Sequence, residues 1–346
     1  KEDLISNRQV QSLYESGRRR FFQELLEHFR STPGGIWLEA AVNSKAYGYK
    51  SFVQRYDSGP EELKRELIQV CTAVNNLPYL TSSRFSLPVF ASKITSDPHG
   101  FDEDMPAGPI FLSALAFHLG CPRPFNTFER SELLYKAGIL IDEVSNTVLC
   151  SGLLAAGADG KPHEGWSAFY NRGEVFQASL MNLSNLSGVA NPMGKVFVVE
   201  NPAVFSYLHS KIREHYGPRE GTQCSPQEGI RESLQHSPRD DLQETPRYRI
   251  HEGPNETARV KDDATGRYLA PGLVCTYGQV NLSGFILLDF LAASGSRIWY
   301  SGDMDPEGIL IADRLKTRYG SALKLWRYSV EDYRQAASQC VASPRR

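Results

Sequence analysis

The chain has 346 residues, 41% hydrophobic and 23% charged, which is long enough for two domains with cores of their own. Its 38 Lys and Arg against 40 Asp and Glu leave a formal net charge of -2. That balance excludes a globally basic nucleic-acid binder, so any contact with DNA has to come from local basic patches beside an acidic site. Six scattered cysteines show no CxxC pair or zinc spacing, no signal peptide is read, and no uninterrupted apolar run is long enough to cross a bilayer. A reduced, cytoplasmic setting without membrane is expected.

In chain order, residues 8–30 read as a helix with Leu13, Phe21, Leu25 and Phe29 roughly on one face. A second helix starts after Ser58-Gly59-Pro60, with Pro60 in its first turn and Leu63, Leu67, Val70 and Val74 inward. Arg18, Arg19 and Arg20 form either a phosphate contact or a solvated helix face. Residues 85–125 are loop-rich until a helix that carries Phe111 to Leu119. A helix through Arg130–Ala137 is followed by the apolar runs Ile139–Ile141 and Thr147–Cys150. With the turn-forming Asp142–Asn146 between them, these runs read as a hairpin. Helix followed by hairpin is compatible with a winged-helix module.

From Gly194 onward the periodicity changes. Apolar runs at Val196–Val199, Leu273–Thr276, Arg297–Tyr300 and Leu323–Tyr328 alternate with helical patterns at Ala203–His215, Leu282–Ala293 and Glu307–Tyr319. Such alternation predicts βαβ units around a parallel sheet buried on both faces. The expected architecture is therefore an α/β carboxyl-terminal domain, with flanking helices on a parallel sheet, after a mainly helical N-terminal region. Expected boundaries are 1–80 (helical), 81–190 (winged-helix-like, CAP-like, DNA-binding) and 191–346 (catalytic). Residues 217–270, poor in Ile, Leu and Val, are read as an insertion into the last of these.

Ligands of parallel α/β sheets gather at the carboxyl ends of the strands. Glu200 ends the first of these runs, and Asp303 and Asp305 follow the third in Ser301-Gly302-Asp303-Met304-Asp305-Pro306-Glu307-Gly308. In an extended segment the two aspartates point the same way and Met304 turns aside. Oxygen donors of this kind suit Mg²⁺ or Mn²⁺, and the matching chemistry is metal-assisted phosphodiester hydrolysis. Glu307 is a candidate fourth ligand, or else a carboxylate placed to suit the helix dipole. Arg314, Lys316 and Arg318 are candidate DNA-backbone contacts, with Lys324 and Arg327 nearby; the plainer reading is solvated surface. Asp97, His99 and Asp102 form either a second polar site or, more simply, a structural turn.

The series VFVVENPAVF, LVCTYGQ and YSGDMDPEGILIA, together with LPVFASKITSDPHGFD and RSELLYKAGILIDEVSNTVLCSGL upstream, resembles the JetD nuclease subunits of Wadjet-type (type II) SMC anti-plasmid systems. The A subunit of topoisomerase VI is a more distant relative. The resemblance runs from about Leu87 onward and is absent before residue 80. It implies a Toprim domain in which Glu200, Asp303 and Asp305 match the acidic positions. It further implies a homodimeric, metal-dependent endonuclease, recruited to circular plasmid double-stranded DNA at the nucleoid by an SMC-like ATPase with kleisin and accessory subunits. Other readings are a transesterase using Tyr135 or Tyr170, a non-catalytic DNA-binding scaffold, and an aspartyl phosphatase. The last wants its DxD after the first strand, whereas here it follows the third.

Overall fold

The structure is a computed structural model that describes residues 7–81, 83–216 and 269–341. The chain divides into two compact units, Lys1–Glu143 and Val144–Arg346.

The first unit is helical: α1 (Asn7–His28), α2 (Pro33–Ser44), α3 (Tyr49–Ser58), α4 (Pro60–Asn75), α5 (Leu87–Thr95), α6 (Gly108–His118) and α7 (Thr127–Lys136). Strands β1 (Phe85–Ser86) and β2 (Ile139–Leu140) form a two-stranded parallel pair. The helix starts follow local chemistry. Thr32 caps α2 by accepting from the Gly35 N–H at 3.1 Å, and Asn126 caps α7 by accepting from Glu129 N–H at 2.9 Å. Leu63, Leu67, Val70 and Val74 of α4 are fully buried with Trp37, Phe52 and Phe111. On α1 Phe22 and Leu25 are buried, as is Phe29 just after its end, whereas Leu13 is 64% exposed. The expected inward face is therefore right for the C-terminal half of that helix only. Helix α5 falls in the stretch read from sequence as loop-rich. Pro88 occupies its first turn, where a missing N–H costs nothing.

The second unit holds a six-stranded sheet in the order β10-β9-β7-β8-β3-β5. Its strands are β3 (Thr147–Ser151), β5 (Phe176–Ser179), β7 (Lys195–Val199), β8 (Gly272–Cys275), β9 (Arg297–Ser301) and β10 (Leu323–Leu325). A separate antiparallel pair joins β4 (Leu154–Gly157) to β6 (Leu186–Ala190). The described residues of the unit also form helices α8 (Glu164–Arg172), α9 (Leu180–Ser184), α10 (Pro202–Tyr216), α11 (Leu282–Ala293), α12 (Pro306–Tyr319) and α13 (Val330–Val341).

The four strands expected to be parallel are parallel. The sheet as a whole is mixed, because β3 runs antiparallel to both β8 and β5. That pairing corrects the expected hairpin. Ile139–Leu140 pairs with Phe85–Ser86 in the first unit, while Thr147–Ser151 joins the second-unit sheet, and the turn-rich stretch between them contains the unit boundary. Two apolar runs beside a turn favour strands but do not choose their partners. The two compact units divide after Glu143, and β3 and β5 share the sheet whose strand β7 leads into Glu200.

One sheet face is sealed. Val148, Cys150, Val196, Val198, Val274, Ile298 and Tyr300 are each at most 1% exposed. Helix α11, predominantly apolar with Asp289 as its one charged residue, lies in this core, with Leu287, Leu288 and Leu291 fully buried. Over the opposite face of β7 and β8, Phe205 of α10 packs on Val199, Leu273 and Cys275. The insertion read at 217–270 lies outside the described residues except for its last two positions.

Candidate active site

The order β10-β9-β7-β8 means that the chain steps from β7 to β8 on one side, then returns past β7 to β9 on the other. This reversal places the topological switch point between β7 and β9, where open α/β sheets leave a crevice at their carboxyl ends. Glu200 follows the last residue of β7, and Gly302-Asp303-Met304-Asp305 follows the last residue of β9. In register, Val199 lies opposite Ser301, so the two loops leave the sheet side by side. The β8 loop joins them: Thr276 N–H donates to Val199 O at 3.0 Å and Gly278 N–H to Glu200 O at 3.2 Å.

Glu200 is 7% exposed. Its Oε1 accepts from the hydroxyl of the fully buried Tyr300. Burial raises its carboxyl above the ordinary range, and the negative charges of Asp303 and Asp305 push the same way. The Tyr300 hydroxyl and the Asp303 backbone N–H oppose them. Burial, with its hydrogen bond to Glu200, raises the Tyr300 hydroxyl strongly, so it stays a donor. Gly302 has no room for a side chain, because a Cβ there would overlap Glu200 Oε1 and the Tyr300 hydroxyl.

Asp303 and Asp305 are exposed and Met304 is half-buried, which is the alternation expected of an extended segment. Asp305 has a second task. As the N-cap of α12 it accepts from Gly308 N–H at 2.7 Å through Oδ1, ahead of Pro306 at the first turn. Gly308 is needed for the loop to close on itself, since a Cβ there would overlap the Asp303 carbonyl. Tyr328, just after β10, donates to that carbonyl at 2.7 Å. Burial, then the charges of Glu200, Asp305 and Asp303, raise its hydroxyl. Carboxylates from two strands are thus gathered on one edge and braced by two tyrosines. Among the described residues, no group of three or more His, Cys, Asp or Glu side chains forms a ready-made metal cage.

The other candidates separate clearly. Glu307 is exposed in the first turn of α12. Arg318 is committed to Asp289, with hydrogen bonds of 3.0 and 2.7 Å, and Tyr319 donates to the same carboxylate at 2.9 Å. Lys316 caps its own helix by donating to Gly320 O and Leu323 O, both at 2.7 Å. Arg314 lies 5.2 Å from the ring centroid of Phe285. Tyr170 is a core residue packed with Leu154 and Ala156, and the Tyr135 ring lies under Arg84 at 4.1 Å. His99 Nδ1–H donates to the Asp102 carboxylate at 2.8 Å, and its backbone N–H donates to Asp97 at 2.9 Å, as a side-chain-stapled turn requires. On α1, Arg20 pairs with Glu24 at 3.2 Å, and Arg18 lies 5.3 Å from the Tyr14 ring centroid.

Sequence reasoning missed Tyr300 and Tyr328, which it read as the apolar ends of strands. The available signal was a phenol ending each of two neighbouring strand runs beside acidic loops.

Residues 1–155 match a family model described as the N-terminus of a protein of unknown function (DUF3323). Residues 230–346 match one described as the C-terminus of a protein of unknown function (DUF2399). The chain therefore carries this pair in order, with Asp303 and Asp305 inside the second match and Glu200 between the two. No curated protein and no solved structure matches the chain.

Proposed function

We propose that the chain is a divalent-metal-dependent DNA endonuclease of the Toprim type, with Glu200, Asp303 and Asp305 as its working carboxylates. The observation that carries this reading is that Glu200 and the loop bearing Asp303 and Asp305 leave adjacent parallel strands side by side at the switch point of the sheet. The DUF3323–DUF2399 pair is the arrangement typical of JetD proteins, which supports the resemblance drawn from the sequence. On that resemblance, the protein acts as a homodimer and as the effector subunit of an SMC-type defence complex directed at plasmid DNA.

The donor set fits a hard cation. All three groups are carboxylates, and the two aspartates disfavour ionisation of the buried Glu200, a strain that positive charge relieves. When bound at these oxygens, Mg²⁺ or Mn²⁺ supplies Lewis acidity toward phosphate and water. The chain's own residues prepare the site. Tyr300 fixes the orientation of Glu200, Gly302 lets the two strand-end loops touch, and Tyr328 holds the Asp303 backbone in place. Asp305 keeps Oδ2 available while Oδ1 anchors α12. Glu307, exposed one position after Pro306, is an additional ligand in this reading.

Hydrolysis is favoured over transesterification by the surroundings of the tyrosines. Tyr170 is buried in the core, Tyr135 stacks under Arg84, and Tyr328 is held protonated while donating to a carbonyl. The test is incubation of supercoiled plasmid with the protein, alone and with its SMC-type partner subunits, in Mg²⁺, Mn²⁺ or EDTA. Metal-dependent nicking or linearisation with no protein–DNA adduct is expected. A covalent tyrosyl–DNA product, or cleavage indifferent to EDTA, contradicts it.

A further inference from the structure

We propose that the half-open sheet face formed by β7, β9 and β10 is a nucleic-acid-binding surface, on which Lys195, Arg297 and Lys324 hold the phosphate backbone and Trp299 offers a stacking platform. The proposal rests on the nuclease reading for its purpose, and on a separate set of residues for its evidence.

The register puts these side chains on one face. Lys195 lies opposite Arg297, Phe197 opposite Trp299, and Trp299 opposite Lys324. All point away from the sealed face that holds Val196, Val198, Ile298 and Tyr300. Arg297 and Lys324 are exposed, and Lys195, Phe197, Trp299 and Trp326 are half-buried. The cations lean on the rings: Lys195 Nζ is 5.1 Å from the centroid of Phe197 and 5.5 Å from that of Trp299, and Lys324 Nζ is 5.5 Å from Trp299 on its other flank. Phe197 and Trp326 extend the aromatic floor with centroids 5.0 Å apart.

Like charges placed opposite one another on neighbouring strands cost stability. Here Lys195 and Arg297 oppose each other, and none of the three cations forms an ion pair with a carboxylate among the described residues. Burial and the nearby Arg297 lower the Lys195 amine, as expected of a cation without a counter-charge. Trp299 Nε1 is also buried without a hydrogen-bond partner. By contrast, Lys316 and Arg318 of α12 are occupied within the fold.

Positive charge interleaved with aromatic rings is the chemistry of a phosphate backbone with bases to stack, and it fits an acidic protein surface less well, since such a surface has no use for the rings. Position agrees. Along β9, Arg297 to Ser301 spans roughly 13 Å, the axial length of about four base pairs. A strand held over the cations therefore reaches the Glu200–Asp303 edge within a few nucleotides.

The test is fluorescence anisotropy of full-length protein with a short labelled duplex and the matching single strand, in EDTA so that no cleavage occurs, over a series of salt concentrations. The combined variant Lys195→Gln, Arg297→Gln and Lys324→Gln is expected to bind about tenfold or more weakly, and its log–log salt slope to be shallower by roughly 0.9 for each phosphate it no longer neutralises. Its melting temperature is expected to match or exceed wild type, because a repulsion has been removed. Trp299→Leu is expected to weaken single-strand binding more than duplex binding. Wild-type affinity and slope in the folded triple variant overturn the proposal, as does a wild-type protein that binds polyglutamate but not DNA. Asp303→Asn separates the two readings. If it cleaves as wild type while the triple variant fails to bind, the assignment of cleavage to the Glu200–Asp303–Asp305 site falls and the surface stands. If the triple variant binds normally and metal-dependent cleavage persists, the surface falls and the nuclease stands.

Discussion

The hydroxyl of Tyr300, at the buried end of β9, donates to Oε1 of Glu200, at the end of β7. This hydrogen bond ties the two strands that flank the switch point, and it decides how the first carboxylate faces the loop that carries the other two. Tyr300→Phe leaves a nearly buried carboxylate short of a donor. A destabilisation of about 1–3 kcal/mol is expected in urea unfolding, with Glu200 titrating higher still because the hydrogen bond was lowering it. Gly302→Ala is expected to cost more, since its Cβ overlaps both members of the pair. An unchanged unfolding midpoint in both variants contradicts this arrangement.

Asp305 should show two separable roles. Asp305→Ala removes the α12 cap, and a destabilisation of about 1 kcal/mol is expected. Asp305→Asn retains a capping oxygen and is expected to keep nearly the wild-type melting temperature while metal-dependent cleavage disappears. Thermal melts and plasmid cleavage on the two variants check this. Parallel declines of stability and cleavage in both variants count against a ligand role.

Glu66 offers a pH test away from the site. It is 8% exposed and pairs with Arg55, yet its Oε2 is buried without a partner. Burial, outweighing Arg55, raises its carboxyl above the ordinary range. The folded-state value is then higher than the unfolded one. Its contribution is fully present below the ordinary glutamate range and is lost as pH rises through the raised value. The stability of wild type relative to Glu66→Gln should therefore fall between acidic and neutral pH. Urea unfolding at both ends of that window checks the sign, and a rise refutes it.

Arg318 is a candidate DNA-binding residue by sequence, and in the fold it pairs with Asp289. Arg318→Gln should leave DNA affinity and its salt dependence unchanged, while breaking the Asp289 ion pair costs up to about 1 kcal/mol, as for a partly exposed pair. Anisotropy and denaturant titration on the same sample distinguish the two roles.

Much of the second unit was legible because buried parallel strands leave continuous apolar runs, as in Val196–Val199, and their carboxyl ends can be counted from sequence. Glu200, Asp303 and Asp305 followed from that count. Pairing was not legible. The runs at Ile139 and Thr147 look equivalent in one dimension, yet they join different sheets. The braces were hidden for a related reason, since Tyr300 serves the core with its ring and the site with its hydroxyl, and an apolar pattern records only the ring. Lys195 and Arg297 are about a hundred residues apart and meet only through register. The charge pattern along the chain instead drew attention to the Arg and Lys of α12.

The central claim is that the carboxylates at the switch point hold a catalytic divalent cation. The most direct measurement is the rate of supercoiled-plasmid cleavage in Mn²⁺ by wild type and Asp303→Asn, alone and with the proposed SMC-type partner subunits, with folding matched by circular dichroism. Wild type is expected to cleave only with metal, and the variant at least about a hundredfold more slowly, since even outer-shell partners of a metal are worth about 10–100-fold. Full metal-dependent cleavage by the folded variant contradicts the account.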